Sequence, residues 1–296
     1  MNKGKYSVAL GTFDGLHLGH MQVIKNAADS EYEPAVLLFK EHPLELISGE
    51  APPELISQKE KRELLSSKGF KIFEYGFSSL MGMEPESFFY DILVGEIGAR
   101  QLSCGENYSF GAHGKGDTAL LAKLCEKNGV ELRISPTVCF SGKPVSSTRI
   151  RYELENGNTE TANAMLGRPY SFTSEVIDGD KRGRVLGFPT ANQEIPEGSV
   201  LLKHGVYASY VTLDGNRLPS VTNFGLRPTV DGKRLLSETH IIGFSGNLYK
   251  KPLRVSFLKF LRDEVKFGTL EQLSEAISKD VKTSSEIFNK HLEISE

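Results

Sequence analysis

Cysteine is scarce in this chain: Cys104, Cys125 and Cys139 are its only three. Their odd number, wide spacing and lack of a CxxC pair argue against a disulfide framework and against a zinc site. An excess of one charge is missing too. Lysine and arginine number 35 against 38 acidic residues, a net charge of −3. Bulk electrostatics therefore predict no nucleic-acid partner and no anionic membrane surface. No apolar run approaches a membrane span, and no charged segment with an apolar stretch behind it opens the sequence. These absences predict a cytoplasmic protein. Internal repeats and low-complexity segments are lacking as well. The 296 residues suffice for two domains or one large one.

The most informative stretch is Leu10-Gly11-Thr12-Phe13-Asp14-Gly15-Leu16-His17-Leu18-Gly19-His20. The apolar Val8-Ala9-Leu10 precedes it and residues of helical composition, 21–28, follow. Strand, glycine-rich turn and helix are predicted, an arrangement that aims backbone N–H groups and a helix dipole at an anion. His17 and His20 have the spacing that shares a helix face, and Gly19 leaves room for a ligand near the backbone. Two imidazoles there suit a polyphosphate during phosphoryl or nucleotidyl transfer. A structural turn with one buried and one exposed histidine is the competing reading.

The first half continues as alternating strands and helices. Pro34-Ala35-Val36-Leu37-Leu38-Phe39 reads as a strand buried on both faces. His42, held extended by Pro43, stands where such strands meet ligands, although a surface loop histidine would look the same. Helices are expected at 58–67, 85–93 and 118–127, and strands at 71–75 and 131–134. The aromatics at 88–89 read as core. Asn107, between Gly105 and Gly111, can donate to and accept from phosphate or base edges. Gly114-Lys115-Gly116 lacks the upstream glycine and following hydroxyl of a Walker A loop. Ser146, Ser147 and Thr148 form a helix N-cap region that can also donate to phosphate. Arg149 or Arg151 could balance a leaving pyrophosphate. The alternation predicts a doubly wound, mostly parallel α/β sheet.

Past Tyr170 the character changes to short strands and glycine-rich turns, which predicts a small antiparallel β-barrel. The expected division is a first domain at 1–157, a helical linker at 158–168 and a second domain at 169–296. Turns are expected at 213–216 and 230–233. Within the barrel, Gly179, Lys181, Gly183 and Gly187 belong to a loop able to wrap phosphates. An RNA-binding patch is the alternative there, opposed by the acidic total and the lack of stacked aromatics. Pro189 fixes the approach to Thr190 and Asn192, whose oxygens would share one face of an extended segment and suit Mg²⁺. Glu238, sharing a strand face with His240, could take a proton from an alcohol attacking a γ-phosphate. An exposed strand carboxylate is its plainer reading. Capping boxes at Thr269-x-x-Gln272 and Thr283-x-x-Glu286 predict C-terminal helices.

Gly11-Thr12-Phe13-Asp14-Gly15-x-His17-x-Gly19-His20 resembles the signature of the HxGH nucleotidyltransferases. With Phe-Asp-Gly before the histidines it is similar to that of the bacterial bifunctional riboflavin kinase/FAD synthetases. Gly105-x-Asn107-Tyr108-x-Phe110-Gly111 and Ser146-Ser147-Thr148-x-x-Arg151 resemble further motifs of that family. So do Gly187-Phe188-Pro189-Thr190-Ala191-Asn192, Asn223-Phe224-Gly225-Leu226-Arg227-Pro228-Thr229 and Glu238-x-His240 in its kinase module. The resemblance implies a Rossmann-like adenylyltransferase domain followed by a riboflavin kinase barrel. ATP would be co-substrate, Mg²⁺ the metal at Thr190 and Asn192, and FMN and FAD the products. Gly11, Phe13 and Gly15 would lie in the ATP loop, with His17 and His20 assisting attack on the α-phosphorus. Glu238 would be the base for the ribityl hydroxyl, and Arg262 would lie on the flavin side. One departure stands out: the family usually carries Thr-Phe and Asp-Pro, or a similar pair, where this chain has Leu38-Phe39 and Lys40-Glu41. A kinase with a weakened adenylyltransferase domain, or a non-catalytic flavin or nucleotide sensor, is therefore the alternative expectation.

Overall fold

The apolar run before the signature loop is a strand, Tyr6–Ala9 (β1). It lies at the centre of a parallel sheet with Glu33–Phe39 (β2), Lys71–Tyr75 (β3), Ala99–Gly105 (β4) and Glu131–Ser135 (β5). The order is β3-β2-β1-β4-β5. The computed structural model describes residues 5–179, 183, 186–229 and 232–295, with backbone alone at 228, 229, 232, 233 and 295. Successive strand residues face opposite sides of the sheet, and both sides are covered. Val8, Leu37 and Leu102 enter one apolar cluster with Phe88, Phe89 and Leu121. Ala9, Val36 and Leu38 enter another, with Val23 and Ile24 of helix Leu18–Ala28 (α1). Burial on both faces is why β2 shows no polar alternation.

Two helices depart from expectation in instructive ways. Residues 85–93 begin as a short turn, Pro85–Ser87, and continue as a π-helix, Phe88–Ile97. A side chain at Gly95 would come within 2.7 Å of the Tyr90 carbonyl oxygen, so only glycine lets this turn close. Phe88 and Phe89 are nevertheless core. At the other end of the chain, one continuous helix, Leu270–Ser295, spans the expected second start at Thr283. Phe288, Ile287 and Leu292 beyond Thr283 still pack on Tyr210 and Leu258, so nothing stops the helix there. Its capping box is at Thr269, whose Oγ1 accepts the Gln272 N–H at 3.3 Å.

Contacts divide the chain into two compact units, Met1–Ser147 and Thr148–Glu296. A two-strand ribbon, Cys139–Phe140 (β6) and Lys143–Pro144 (β7), precedes the division. The segment expected as a linker contains the helix Thr159–Leu166, with Ala162, Met165 and Leu166 buried. Asn163 secures it by donating to the Phe257 carbonyl at 2.8 Å and accepting the Tyr170 N–H at 2.7 Å. The strands after it are Tyr170–Ile177 (β8), Ala191–Glu194 (β9), Gly205–Leu213 (β10), Asn216–Thr229 (β11), Gly232–Ile241 (β12) and Pro252–Arg262 (β13). They close a barrel in the order β10-β11-β12-β9-β8-β13. Asp214 and Gly215, at φ 49° and 80°, make the first expected turn; residues 230 and 231 of the second lie outside the described residues.

Candidate active sites

In the first unit the strand order reverses between β1 and β4, and the crevice outside the carboxyl ends of those strands is the usual ligand position in such sheets. The signature loop occupies it. Phe13, Gly15 and Leu16 all have positive φ, 51°, 79° and 46°. Two non-glycine residues in that region signal backbone strain, a recurrent feature of ligand loops. Phe13 and Leu16 hold the loop down with wholly buried side chains, so Phe13 offers a ligand its backbone rather than its ring. A Cβ on Gly11 would press on that ring at 3.3 Å.

His17 is the N-cap of α1, and its Nδ1 accepts the His20 N–H at 3.3 Å. The capping bond leaves the proton of a neutral His17 ring on Nε2. The two imidazoles are stacked, 3.6 Å between centroids, and Phe13 lies edge-on to His20. Ser147 Oγ donates to the Asp14 carbonyl at 2.9 Å, which ties the Ser-Ser-Thr motif to the signature loop. Asn107 is exposed in the turn after β4, and a Cβ on Gly105 would sit 3.2 Å from its Oδ1. Ser146 is half-buried. Thr148 is exposed and Arg151 only 8% exposed in the helix Ser147–Glu155, both counted with the second unit.

His42 opens a short helix, Pro43–Ser48 (α2), by accepting the Leu44 N–H on Nδ1 at 3.2 Å. Its neighbour Glu41 has a structural task. The Glu41 carboxylate accepts the Phe77 N–H at 2.9 Å, at the start of the helix Phe77–Leu80. Lys61, on helix Gln58–Ser67 (α3), has no signal in the sequence: it sits in a dense charged run that reads as a solvent face. Yet it is 5% exposed. Burial lowers its pKa, against the opposing pull of Asp14 and Glu54.

Burial, and after it His17 and Lys61, hold the His20 imidazole well below its ordinary 6.5. The unfolded chain therefore takes up a proton near 6.5 that the folded chain refuses. The stability this contributes is complete above the unfolded value and is lost as pH falls from there through the folded one. The wild-type melting temperature should accordingly drop more than that of His20→Gln between about pH 7.5 and 5.5. Equal drops in the two proteins would remove His20 as the cause.

The second unit brings its predicted residues together through strand pairing. Glu238 on β12 lies directly opposite Asn192 on β9 and Asn223 on β11. Such partners share a sheet face with Cβ atoms about 4.5–5.5 Å apart. The row faces away from Ser237 and Thr239, which are buried. Thr190 stands just before β9, and with Asn192, Asn223 and Glu238 it lines a cavity of about 320 Å³ walled by Phe188, Val221 and Leu273. A second cavity, about 260 Å³, is lined by Pro189, Phe244, Leu248 and Tyr249. Thr190 borders both.

Several contacts here are not visible along the chain. Arg227 donates Nε to Glu238 Oε2 at 2.7 Å and Nη1 to Glu264 Oε1 at 2.8 Å, so one guanidinium is shared by two carboxylates. Gly225 makes the room, since a Cβ there would fall 2.6 Å from Glu264 Oε1. His240 donates Nδ1–H to the Pro189 carbonyl at 2.9 Å and pins the segment that carries Thr190. Asn223 Oδ1 is buried with no hydrogen-bond partner among the described residues. Arg262 borders the larger cavity, but its Nε and Nη2 donate to Asp280 at 3.1 and 2.7 Å, which locks the terminal helix to the barrel.

The hydroxyl of Thr190 with the amide oxygens of Asn192 and Asn223 makes a neutral oxygen set. Such a set fits Mg²⁺ that arrives with phosphate oxygens and water completing its shell. In the preceding loop, Gly183 O accepts the Phe188 N–H at 2.8 Å, Gly187 has φ 83°, and Lys181 lies outside the described residues. A Cβ on Gly179 would lie 2.3 Å from Asn192 Nδ2. Gly179→Ala should therefore push the Asn192 amide aside. The KM for a nucleotide whose phosphates meet Thr190 and Asn192 should then rise about tenfold, the loss of one hydrogen bond to a charged partner. An unchanged KM would show that Asn192 does not touch the nucleotide complex.

Known proteins share this organisation. A family model described as FAD synthetase matches residues 1–149, and one described as riboflavin kinase matches residues 166–288. The bifunctional riboflavin kinase/FMN adenylyltransferase of Haemophilus influenzae is 33% identical over 295 residues, 96% of this chain and 94% of its own. Its Escherichia coli K12 counterpart is 33% identical over 292 residues, 95% of this chain and 92% of its own. A crystal structure described as a macrolide-efflux protein from Streptococcus pneumoniae superposes with a TM-score of 0.86 at 26% identity. That match covers 96% of this chain and 95% of the other. Among the described residues here, no helix is long and apolar enough to cross a membrane.

Proposed function

The chain belongs to the bifunctional riboflavin kinase/FMN adenylyltransferase family, and we propose that its two units divide the two steps of FAD biosynthesis between them. It is a transferase that phosphorylates riboflavin to FMN with ATP and adenylylates FMN to FAD. The assignment of residues is carried by one observation, the direct pairing of Glu238 with Asn192 and Asn223 beside Thr190.

In the kinase step ATP occupies the smaller cavity, with its phosphates at Thr190, and riboflavin the larger. Thr190 Oγ1 and Asn192 Oδ1 would hold Mg²⁺, whose positive charge would be available to the transferring phosphoryl group. Gly179, Lys181, Gly183 and Gly187 wrap the nucleotide phosphates, and Pro189 sets the approach of Thr190. Glu238 accepts the proton of the terminal ribityl hydroxyl as its oxygen attacks the γ-phosphorus and ADP leaves. Arg227 holds that carboxylate in orientation, and Glu264 offers the guanidinium a second seat once substrates enter. Arg262 holds the flavin side of the cavity by bracing the terminal helix.

In the adenylyl step the FMN phosphate attacks the α-phosphorus of a second ATP and pyrophosphate leaves. His17 Nε2–H and the amino end of α1 meet the developing charge. His20, neutral through burial, stacks on His17 and sets its orientation. Gly11, Phe13 and Gly15 supply the loop backbone, with His42, Asn107, Ser146, Ser147, Thr148 and Arg151 as further nucleotide contacts. Because the helix Ser147–Glu155 carries this motif, the first functional domain runs to residue 157, and 158–168 connects it to the kinase domain at 169–296. The structural task of Glu41 accounts for the residue that stands in the place of the family's proline and supports an intact transfer. Substrates are small molecules, the compartment is the cytoplasm, and neither nucleic acid nor membrane is a partner.

Incubation with riboflavin and Mg-ATP, with FMN and FAD separated afterwards, tests the whole reading. Both products are expected. FMN alone would reduce the activity to the kinase, and bound flavin without either product would make the chain a sensor.

A further inference from the structure

A third cavity in the second unit, about 1140 Å³, is several times larger than the one beside Glu238. It lies between the helix Thr159–Leu166, strands β10 and β13, and the last turns of the terminal helix, and it shares no lining residue with the cavities at Thr190. The terminal helix passes Ile277 to the Glu238 cavity and His291 to this one, about 20 Å further along its axis.

The lining is strongly cationic. Arg168, Arg217, Arg254, Lys259 and Lys290 border the cavity, and Glu160 is the one carboxylate among the described lining residues. Lys259 already pairs with Glu160 at 3.1 Å. Arg217, Arg254 and Lys290 have no carboxylate within 4.0 Å among the described residues. In a chain of net charge −3, so many unbalanced cations in one concavity focus a positive potential there.

Two guanidinium groups are also pre-oriented. Arg254 donates Nε and Nη2 to Ser171 Oγ at 3.1 and 2.9 Å, which fixes the plane of its fork. Arg217 lies over the Tyr210 ring at 5.6 Å, and His291 stacks on the same ring at 5.7 Å. Tyr210 is 7% exposed and so gives a nucleic-acid base no platform for stacking. Fixed guanidinium forks in a concave pocket select phosphate groups.

We propose that this cavity is a second phosphate site of the kinase unit, taking a small molecule with two or three linked phosphates gripped by Arg217 and Arg254, with Lys290 adding charge. It does not depend on the roles given to Glu238 or His17. Both sources of such a ligand meet the protein in its own reactions: ATP enters them and pyrophosphate leaves. Either the linked phosphates alone or a nucleoside carrying them can be the occupant.

Calorimetric titration of the full chain with inorganic tripolyphosphate, and separately with ATP, tests this in the wild type and in the Arg217→Glu/Arg254→Glu double variant. Each lost charge-assisted contact weakens binding about tenfold, so one class of sites should weaken about a hundredfold in the double variant. Riboflavin phosphorylation at saturating substrate should stay at the wild-type rate, which also certifies the fold. Loss of tripolyphosphate binding would identify the linked phosphates as sufficient, and loss confined to ATP would identify a nucleotide. Should the double variant not fold, Lys290→Glu on the exposed helix surface should weaken the same site about tenfold. Identical titrations by wild type and variants, or an effect confined to a single-stranded RNA probe, would overturn the proposal.

Discussion

With Glu238 replaced by glutamine, riboflavin phosphorylation is expected to fall about 10²- to 10⁴-fold, the range of a positioned general base. Adenylylation of supplied FMN should continue at the wild-type rate. Glutamine keeps the length of the side chain and an oxygen for Arg227, while Glu264 still holds the guanidinium at 2.8 Å. Loss of activity would thus report the missing proton acceptor rather than a collapsed site. The measurement is separate quantitation of FMN made from riboflavin and FAD made from FMN. An equal fall in both would refute the division of the steps between two units, and an undiminished FMN rate would exclude Glu238 as the base.

A pair of substitutions at His17 should separate its structural and chemical tasks. His17→Ala removes the Nδ1 that accepts the His20 N–H, and loss of an N-cap costs about 1 kcal/mol. It also removes the Nε2–H donor. His17→Asn restores a capping oxygen but not that donor. Both variants should lose FAD formation about 10²- to 10³-fold, the usual effect of deleting one preorganised donor to developing charge. Only the alanine variant should melt earlier, and neither should slow riboflavin phosphorylation. Full FAD output from His17→Asn would mean that the ring matters only as a cap.

Local pattern made much of the architecture legible. The unbroken apolar run at Val36 to Leu38 announced a strand covered on both faces, and α3, β3 and the helix Thr159–Leu166 lie where the sequence pattern places them. Phe88 and Phe89 were recognisable as core, although the π-helical path around them turns on contact between Gly95 and the Tyr90 carbonyl. Thr283 misleads for a related reason. Its capping pattern is genuine, but the apolar stripe beyond it has a barrel to lie on, and packing outweighs a local stop signal.

The site divides along the same line. Chain order alone put Thr190 and Asn192 on one face of an extended segment and named Glu238 as a carboxylate able to serve phosphoryl transfer, because side-chain alternation and chemical type are local properties. Which residue of β12 stands opposite Asn192, which carboxylates share Arg227, why Glu41 turns to the Phe77 N–H and why Lys61 is buried were settled only by the tertiary structure. Each of these depends on the alignment of segments far apart in sequence. A slip of one residue in strand pairing would turn every side chain to the other face.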